Sequence, residues 1–305
     1  MARHPQGILV ACPSPWDDHD ELREDLFRDE VRQVIAAGFR QVYVFGTGGE
    51  GYAVDTRRFR QVVDVFFEET RVDGLISMVG VIGLSTPQIV ERLTYAHDVG
   101  FRMFQISLPS WGPLTDDEVL RFFSDVCGAF PEATFLNYNL PRTKRVLSGA
   151  DYARIIERVP NLVATKTTGG GLPAAEELVR NSPELMHFMG EGNFAFGSMF
   201  GEVGLLASYA ELAPAMTWRL FESGRARATG ELFELHHRFH AMSTALWAQV
   251  REGPHMDGAY DKMLVKLRMV PDFPLRLLSP YEGFTDDDYR ACLRLLEEAY
   301  PEFLG

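Results

Sequence analysis

A chain of 305 residues, 46% of them hydrophobic, is long enough to bury one large core or two smaller ones. Its formal net charge of −13 argues against nucleic acid or an anionic membrane as the main partner, because both select a basic surface. Cys12, Cys127 and Cys292 are scattered without metal-ligand spacing, which suits a reducing compartment better than a disulfide framework.

Met1 to Gln6 carry no apolar signal core and lead straight into the strand-length run Gly7 to Pro13. No apolar run reaches the length of a membrane span, so a soluble, cytoplasmic protein is expected. Leu26, Phe27, Val31, Val34 and Ile35 show helical spacing, stopped at Gly38. Val42 to Phe45 form a second strand that runs into Gly46-Thr47-Gly48-Gly49-Glu50-Gly51. Phe59, Val62, Val63, Phe66 and Phe67 then follow the i, i+3, i+4, i+7, i+8 rule of a core-facing helix. The alternation continues. Leu75 to Ile82 are a strand, and Ser85-Thr86-Pro87 open a helix with a capping hydroxyl before a first-turn proline. Met103 to Leu108 are a strand, and Thr115 with Glu118 forms a capping box. Thr134 to Asn139 are a strand, and Ser148 with Asp151 starts the next helix. Leu162 to Ala164 are a strand ending near Lys166, followed by a glycine break and a helix from about Pro173. Met186 to Met189 and Gly204 to Tyr209 are the last two strands, with a final helix over Leu212 to Phe221.

Eight βα units at roughly thirty-residue spacing indicate a (β/α)₈ TIM barrel rather than an open doubly wound sheet. No dinucleotide fingerprint follows the first strand. After Gly224 the pattern is helical only, through Leu232 to Val250, Lys262 to Met269 and Asp286 to Ala299. The expected organisation is a barrel over residues 1–224 that carries the active site, with a helical extension over 225–305 packed on it.

In a barrel, residues far apart in sequence converge where the strands end. Those ends carry Thr47-Gly48-Gly49-Glu50, Pro109-Ser110-Trp111, Tyr138-Asn139, Lys166 and Gly190-Glu191-Gly192. A lysine held there partly out of water has its charged form disfavoured and its amine made available. Backbone N–H groups of a glycine turn can cradle a carboxylate or phosphate. Each feature also has a plainer reading: a solvated lysine, a tight turn, a core tyrosine with a wet hydroxyl. Together they suit imine chemistry on an oxoacid.

The combination of Gly46-Thr47-Gly48-Gly49-Glu50, Tyr138-Asn139-Leu140-Pro141-Arg142-Thr143 and Ala164-Thr165-Lys166 resembles the dihydrodipicolinate synthase / N-acetylneuraminate lyase family. The resemblance runs from Ile8 to about Ala299, with all three motifs in order and spacing. It implies a barrel with a helical C-terminal extension, assembled as a homo-oligomer, a dimer or tetramer. It also implies metal-independent, cofactor-free class I chemistry on a small-molecule 2-oxoacid such as pyruvate. Lys166 would form the imine, Tyr138 would shuttle protons, and Thr47 with the N–H groups of Gly48 and Gly49 would hold the oxoacid carboxylate. Arg142 would pair with a carboxylate of the second reactant. That assignment uses a one-residue gap in the loop, since a gapless alignment puts Thr143 there. Ser110, Trp111, Gly190 and Leu206 complete the expected substrate lining.

The departures from the family pattern are informative. Family synthases carry a second hydroxyl residue where this chain has Gly48, and a tyrosine pair after strand four where this chain has the segment Leu108-Pro109-Ser110-Trp111-Gly112-Pro113-Leu114. Indole only donates and cannot replace a phenol in proton transfer. Dihydrodipicolinate synthesis is therefore not expected. Pro109-Ser110-Trp111-Gly112-Pro113-Leu114 looks instead like the corresponding loop of hydratase-aldolases acting on aryl-substituted oxoacids. Trp111 would line an apolar pocket or pack at a subunit interface. A sugar-acid dehydratase sharing the imine and a catalytically silent oxoacid-binding homologue are the alternatives. His236 and His240 have zinc-binding spacing but no acidic third ligand nearby, and are read as a solvated helix face. Glu50 is read as an acceptor that holds its loop.

Overall fold

Eight parallel strands close into a barrel in chain order, each paired with its sequence neighbours and the eighth with the first. The computed structural model describes residues 3–305; Met1 and Ala2, the start of the expected lead-in to the first strand, lie outside the described residues. The order is β1 Ile8–Ala11, α1 Glu24–Ala36, β2 Gln41–Val44, α2 Thr56–Thr70, β3 Ile76–Val81, α3 Thr86–Val99, β4 Met103–Ile106 and α4 Asp116–Gly128. It continues with β5 Thr134–Asn139, α5 Gly149–Ile156, β6 Leu162–Thr167, α6 Gly171–Asn181, β7 Met186–Gly190, α7 Glu191–Phe200, β8 Gly204–Ala207 and α8 Pro214–Arg225. Three longer-range helices follow: α9 Thr229–Trp247, α10 Asp257–Leu267 and α11 Asp286–Ala299. The expected (β/α)₈ barrel with C-terminal helices is the observed architecture. No helix of the described residues is long and apolar enough to cross a membrane.

Local chemistry accounts for many of the boundaries. Thr115 with Glu118 forms the expected capping box, and Ser148 with Asp151, expected to start α5, forms another; each satisfies two otherwise orphaned donors. Ser85 caps α3 ahead of its first-turn proline. Inside the barrel, alternate residues of the strands fill the bore, among them Leu9, Tyr43, Met78, Leu136, Phe188 and Leu206. The outward set packs against the helical ring in one continuous core.

Three boundaries differ from expectation in ways that matter for the site. β6 does not stop at Ala164 but pairs on through Thr167, so Lys166 lies within the strand, opposite Tyr138 and Phe188. Thr165 is tolerated there because its hydroxyl meets His187 Nδ1 at 2.7 Å on the next strand. α7 begins at Glu191, directly where β7 ends, and Gly190 is its N-terminal cap rather than part of a loop. α10 begins at Asp257, a full turn before Lys262, where its apolar pattern first shows.

α10 is tied to the barrel by a buried ion pair. Lys262 Nζ lies 2.6 Å from Glu50 Oε1, and neither side chain has any solvent exposure. Glu50 also accepts from Trp16 Nε1 at 2.9 Å and from the Leu278 N–H at 2.7 Å. Glu50 is thus the loop acceptor expected of it, and its partners include the C-terminal segment. Its loop is conformationally demanding: Phe45 and Glu50 both adopt left-handed backbone, with φ of 60° and 58°. The Phe45 carbonyl then approaches β3 so closely that a Cβ on Gly80 would lie 2.2 Å from its oxygen. Removing one partner of such a buried pair leaves an uncompensated charge. Lys262→Met is therefore expected to lower unfolding free energy by about 3–5 kcal/mol in urea titrations. The Glu50→Gln/Lys262→Met double variant is expected to regain part of that loss, because no unpaired charge remains.

Candidate active site

Strand register, rather than loop placement, builds the centre of the site. Tyr138 and Lys166 are direct register partners on β5 and β6, with side chains on the inward face. Lys166 Nζ consequently lies 3.9 Å from the centre of the Tyr138 ring. On the opposite side it donates to the Tyr43 hydroxyl at 2.6 Å, and it lies 4.4 Å from that ring's centre. A longer contact of 3.5 Å reaches Gln105 Oε1. The lysine is 3% exposed, fully inside the barrel mouth rather than partly solvated. Burial lowers its pKa to about 7, against the opposing pull of Asp261 and Asp257. A neutral, nucleophilic amine is therefore well populated near neutral pH.

The Thr47 hydroxyl donates to the Tyr138 hydroxyl at 3.3 Å, which joins the β2–α2 loop to the phenol. Burial pushes the Tyr138 pKa up to about 12, partly offset by that hydrogen bond, so it stays protonated at neutral pH. Asn139, next in the motif, grips both the N–H and the carbonyl of Leu147 at 2.8 Å and so closes the loop bearing Arg142. Arg142 is held in a fork by Asp257 of α10, at 2.8 and 3.0 Å.

Two cavities meet at Tyr138. The inner one, about 220 Å³, is lined by Lys166, Tyr43, Gly48, Leu206, Tyr209 and Asp261, with Trp247 and Tyr260 also contributing. The outer one, about 390 Å³, takes its walls from Thr47, Val54, Ile82, Ser110, Leu140 and Arg142 among others. Of the residues expected in the substrate lining, Gly48 and Leu206 face the inner chamber, and Ser110 and Arg142 the outer. Gly49 packs beneath the loop against the Phe45 N–H and the Cys12 carbonyl. Gly190 caps α7 and borders neither cavity. Trp111 is 82% exposed and also borders neither in the single chain, so a pocket-lining role does not follow from its position.

Several residues at the site escaped the sequence reading. Tyr43 occupies an inward position of β2, where alternation alone marks a core aromatic. Asp257, Tyr260 and Asp261 come from α10, and Trp247 from α9, so the inner chamber is completed by the C-terminal helices. Burial together with Asp257 raises the Asp261 pKa to about 7. His236, on α9, faces the Glu191 carbonyl through Nδ1 at 3.2 Å. Among the described residues no group of three or more His, Cys, Asp or Glu could hold a metal ion.

A buried lysine with a lowered pKa has a signed effect on stability. Below about pH 7 it is charged in both native and unfolded chains, and the burial penalty is fully present. Between about 7 and its unfolded value, near 10.5, only the unfolded chain holds the proton, so stability rises with pH. Lys166→Met is therefore expected to be more stable than the wild type at pH 6. That advantage should shrink steadily toward pH 10, as read by chemical denaturation at each pH.

Comparison with known proteins identifies the same class of molecule. The family model described as the dihydrodipicolinate synthetase family matches residues 4–255. A 4-hydroxy-tetrahydrodipicolinate synthase from Methanopyrus kandleri is 25% identical over 255 residues, covering 82% of this chain and 84% of that one. An N-acetylneuraminate lyase from Citrobacter koseri is 26% identical over 239 residues, covering 78% and 79%. Among solved structures, YagE, a prophage protein of the dihydrodipicolinic acid synthase family from E. coli K12, was crystallised in complex with pyruvate. It superposes with a TM-score of 0.84 at 15% identity, over 96% of this chain and 98% of that one.

Proposed function

The chain belongs to the dihydrodipicolinate synthetase family and is an enzyme of the lyase–aldolase type, and from that premise we propose that it forms an imine between Lys166 and pyruvate or another 2-oxoacid. The observation that carries this reading is the buried Lys166 amine, hydrogen-bonded to Tyr43 and set 3.9 Å from the Tyr138 ring, at the wall of the inner chamber.

In this reading the neutral Lys166 amine adds to the C2 carbonyl, and the resulting carbinolamine loses water to give a protonated imine. That cation accepts the electrons released when a C3 proton or the C3–C4 bond is lost, leaving an enamine. Tyr138 is the proposed proton carrier, a role supported by its bond from Thr47 and by its position as the wall shared between the two chambers. Tyr43 holds Nζ in register until substrate arrives. Thr47 and the Gly48 N–H are the proposed binders of the oxoacid carboxylate. The apolar walls of the outer chamber support an apolar or aromatic second reactant. Arg142 lies at its edge for a second carboxylate, once released from Asp257.

Incubation with pyruvate, reduction with borohydride and peptide mass spectrometry should find the adduct on Lys166 and nowhere else. Lys166→Ala should abolish it. Tyr138→Phe should lower turnover by about 10²–10⁴-fold with a smaller effect on trapping. No adduct across a panel of 2-oxoacids would overturn the imine reading. Offering aryl aldehydes with pyruvate, and sugar acids alone, separates carbon–carbon chemistry from dehydration. Trapping without any turnover would instead fit an oxoacid-binding homologue.

The same reading includes a homo-oligomer. Leu84 and Trp111, 58% and 82% exposed, leave apolar surface beside the outer chamber that suits a subunit contact. Trp111→Glu is expected to reduce the mass found by light scattering; an unchanged mass would remove this surface from the interface.

A further inference from the structure

The inner chamber contains an acid that the imine steps above do not use. Asp261, on α10, lines it together with Lys166, and its carboxyl makes no hydrogen bond to any described residue. The residue is half-buried and lines the chamber wall. Its approach to the β2–α2 loop is unusually close. A Cβ on Gly48 would lie 1.7 Å from Asp261 Oδ2, and a Cβ on Gly258, one turn earlier in α10, would lie 2.9 Å from the Gly48 carbonyl oxygen. Only two glycines facing each other let helix and loop meet in this way. Gly48 likewise makes no hydrogen bond to any described residue. Gly48 and Asp261, neither of them hydrogen-bonded within the described residues, therefore border one small cavity that Lys166 also lines.

A ligand group that satisfies both must accept from the N–H and also bond the acid. An ionised Asp261 would repel a carboxylate brought there, whereas a neutral Asp261 would donate to it in a short, charge-assisted bond. The neutral form is accessible, because burial, helped by Asp257 and Glu191, raises the Asp261 pKa to about 7. We propose that Asp261 is a substrate-binding residue that, in its neutral form, donates a hydrogen bond to the carboxylate of the 2-oxoacid beside the Gly48 N–H, so that the C-terminal helix sets the enzyme's selection for oxoacids. The space a side chain would take at position 48 is thus filled from α10. This rests on the imine reading above.

The test uses borohydride trapping on the full-length protein, with the concentration giving half-maximal adduct measured for pyruvate and for hydroxyacetone, a ketone without a carboxylate. Asp261→Ala should raise the pyruvate value by about tenfold or more and leave the hydroxyacetone value nearly unchanged. Asp261→Asn, which is nearly isosteric and keeps an N–H donor, should stay within about threefold of the wild type for pyruvate. Equal weakening toward both ketones in Asp261→Ala would mean a structural role and would overturn the proposal. So would an unchanged pyruvate value in Asp261→Ala, or an Asn variant no better than the Ala variant. Failure of the wild type itself to form an adduct would overturn the imine reading, and this proposal with it; the variants' failures leave that reading standing.

Discussion

The buried Glu50–Lys262 pair is the constraint on which the catalytic end of this molecule depends. Two charges withdrawn from water are tolerated only when each is well bonded, and here Glu50 accepts from Lys262, Trp16 and the Leu278 N–H at once. Those three partners come from the β1–α1 connection, from α10 and from the segment after it. One carboxylate therefore fixes the loop that carries Thr47 and Gly48 against the helix that carries Asp257 and Asp261. Lys262 is adjacent to Asp261 in sequence, so the ion pair also fixes how far that acid reaches over Gly48. The left-handed backbone at Phe45 and Glu50 is unfavourable in isolation, and the bonds made by Glu50 offset it.

Within this frame, the reactivity of Lys166 follows from burial more than from any single partner. Tyr43 and Tyr138 surround Nζ with ring faces that stabilise a cation, and Asp257 and Asp261 pull the same way. Desolvation still wins, and the pKa falls to about 7. The balance is useful for imine chemistry, because the free amine needed for attack is well populated near neutral pH while the same ring faces and acids can still stabilise a protonated imine. A lysine at an open strand end would remain protonated and inert at neutral pH.

Much of the architecture was legible because its causes are local. The capping boxes at Thr115 and Ser148, the apolar spacing of α2 and the alternation of strands with helices are each written in a few consecutive residues. The Tyr138–Lys166 pairing was legible only through family resemblance, since register between β5 and β6 is a tertiary fact. Thr165-Lys166-Thr167 reads as the end of a strand because polar residues look out of place in a buried one. Yet Thr165 bonds His187 on β7 and Lys166 bonds Tyr43 on β2, while Thr167 is held there by its backbone pairing alone. Tyr43 passes for an ordinary core aromatic until the bore is seen to be polar at its mouth. Asp257 and Asp261 were missed because the first turn of α10 turns its polar face inward, the reverse of the pattern used to find core-facing helices. The fit of Gly48 to Asp261, more than two hundred residues away, leaves no trace in either local sequence.

Both acids on α10 occupy positions four apart, which lie on one face of a helix, and here both line the inner chamber. Asp261 reaches over Gly48, while Asp257 also holds Arg142 at the edge of the outer chamber. Any carboxylate that recruits Arg142 must compete with Asp257, and in the proposed carboxylate site Asp261 meets the anion in its neutral form. Tyr138 lines both chambers, so in the proposed role its proton can reach an oxygen on either side. The barrel thus provides the lysine and phenols, while the helix appended after it governs which charges approach them. Under the proposed chemistry, a change of substrate within such a scaffold becomes a matter of repacking one helix turn against one glycine loop, with the lysine-bearing strands left as they are.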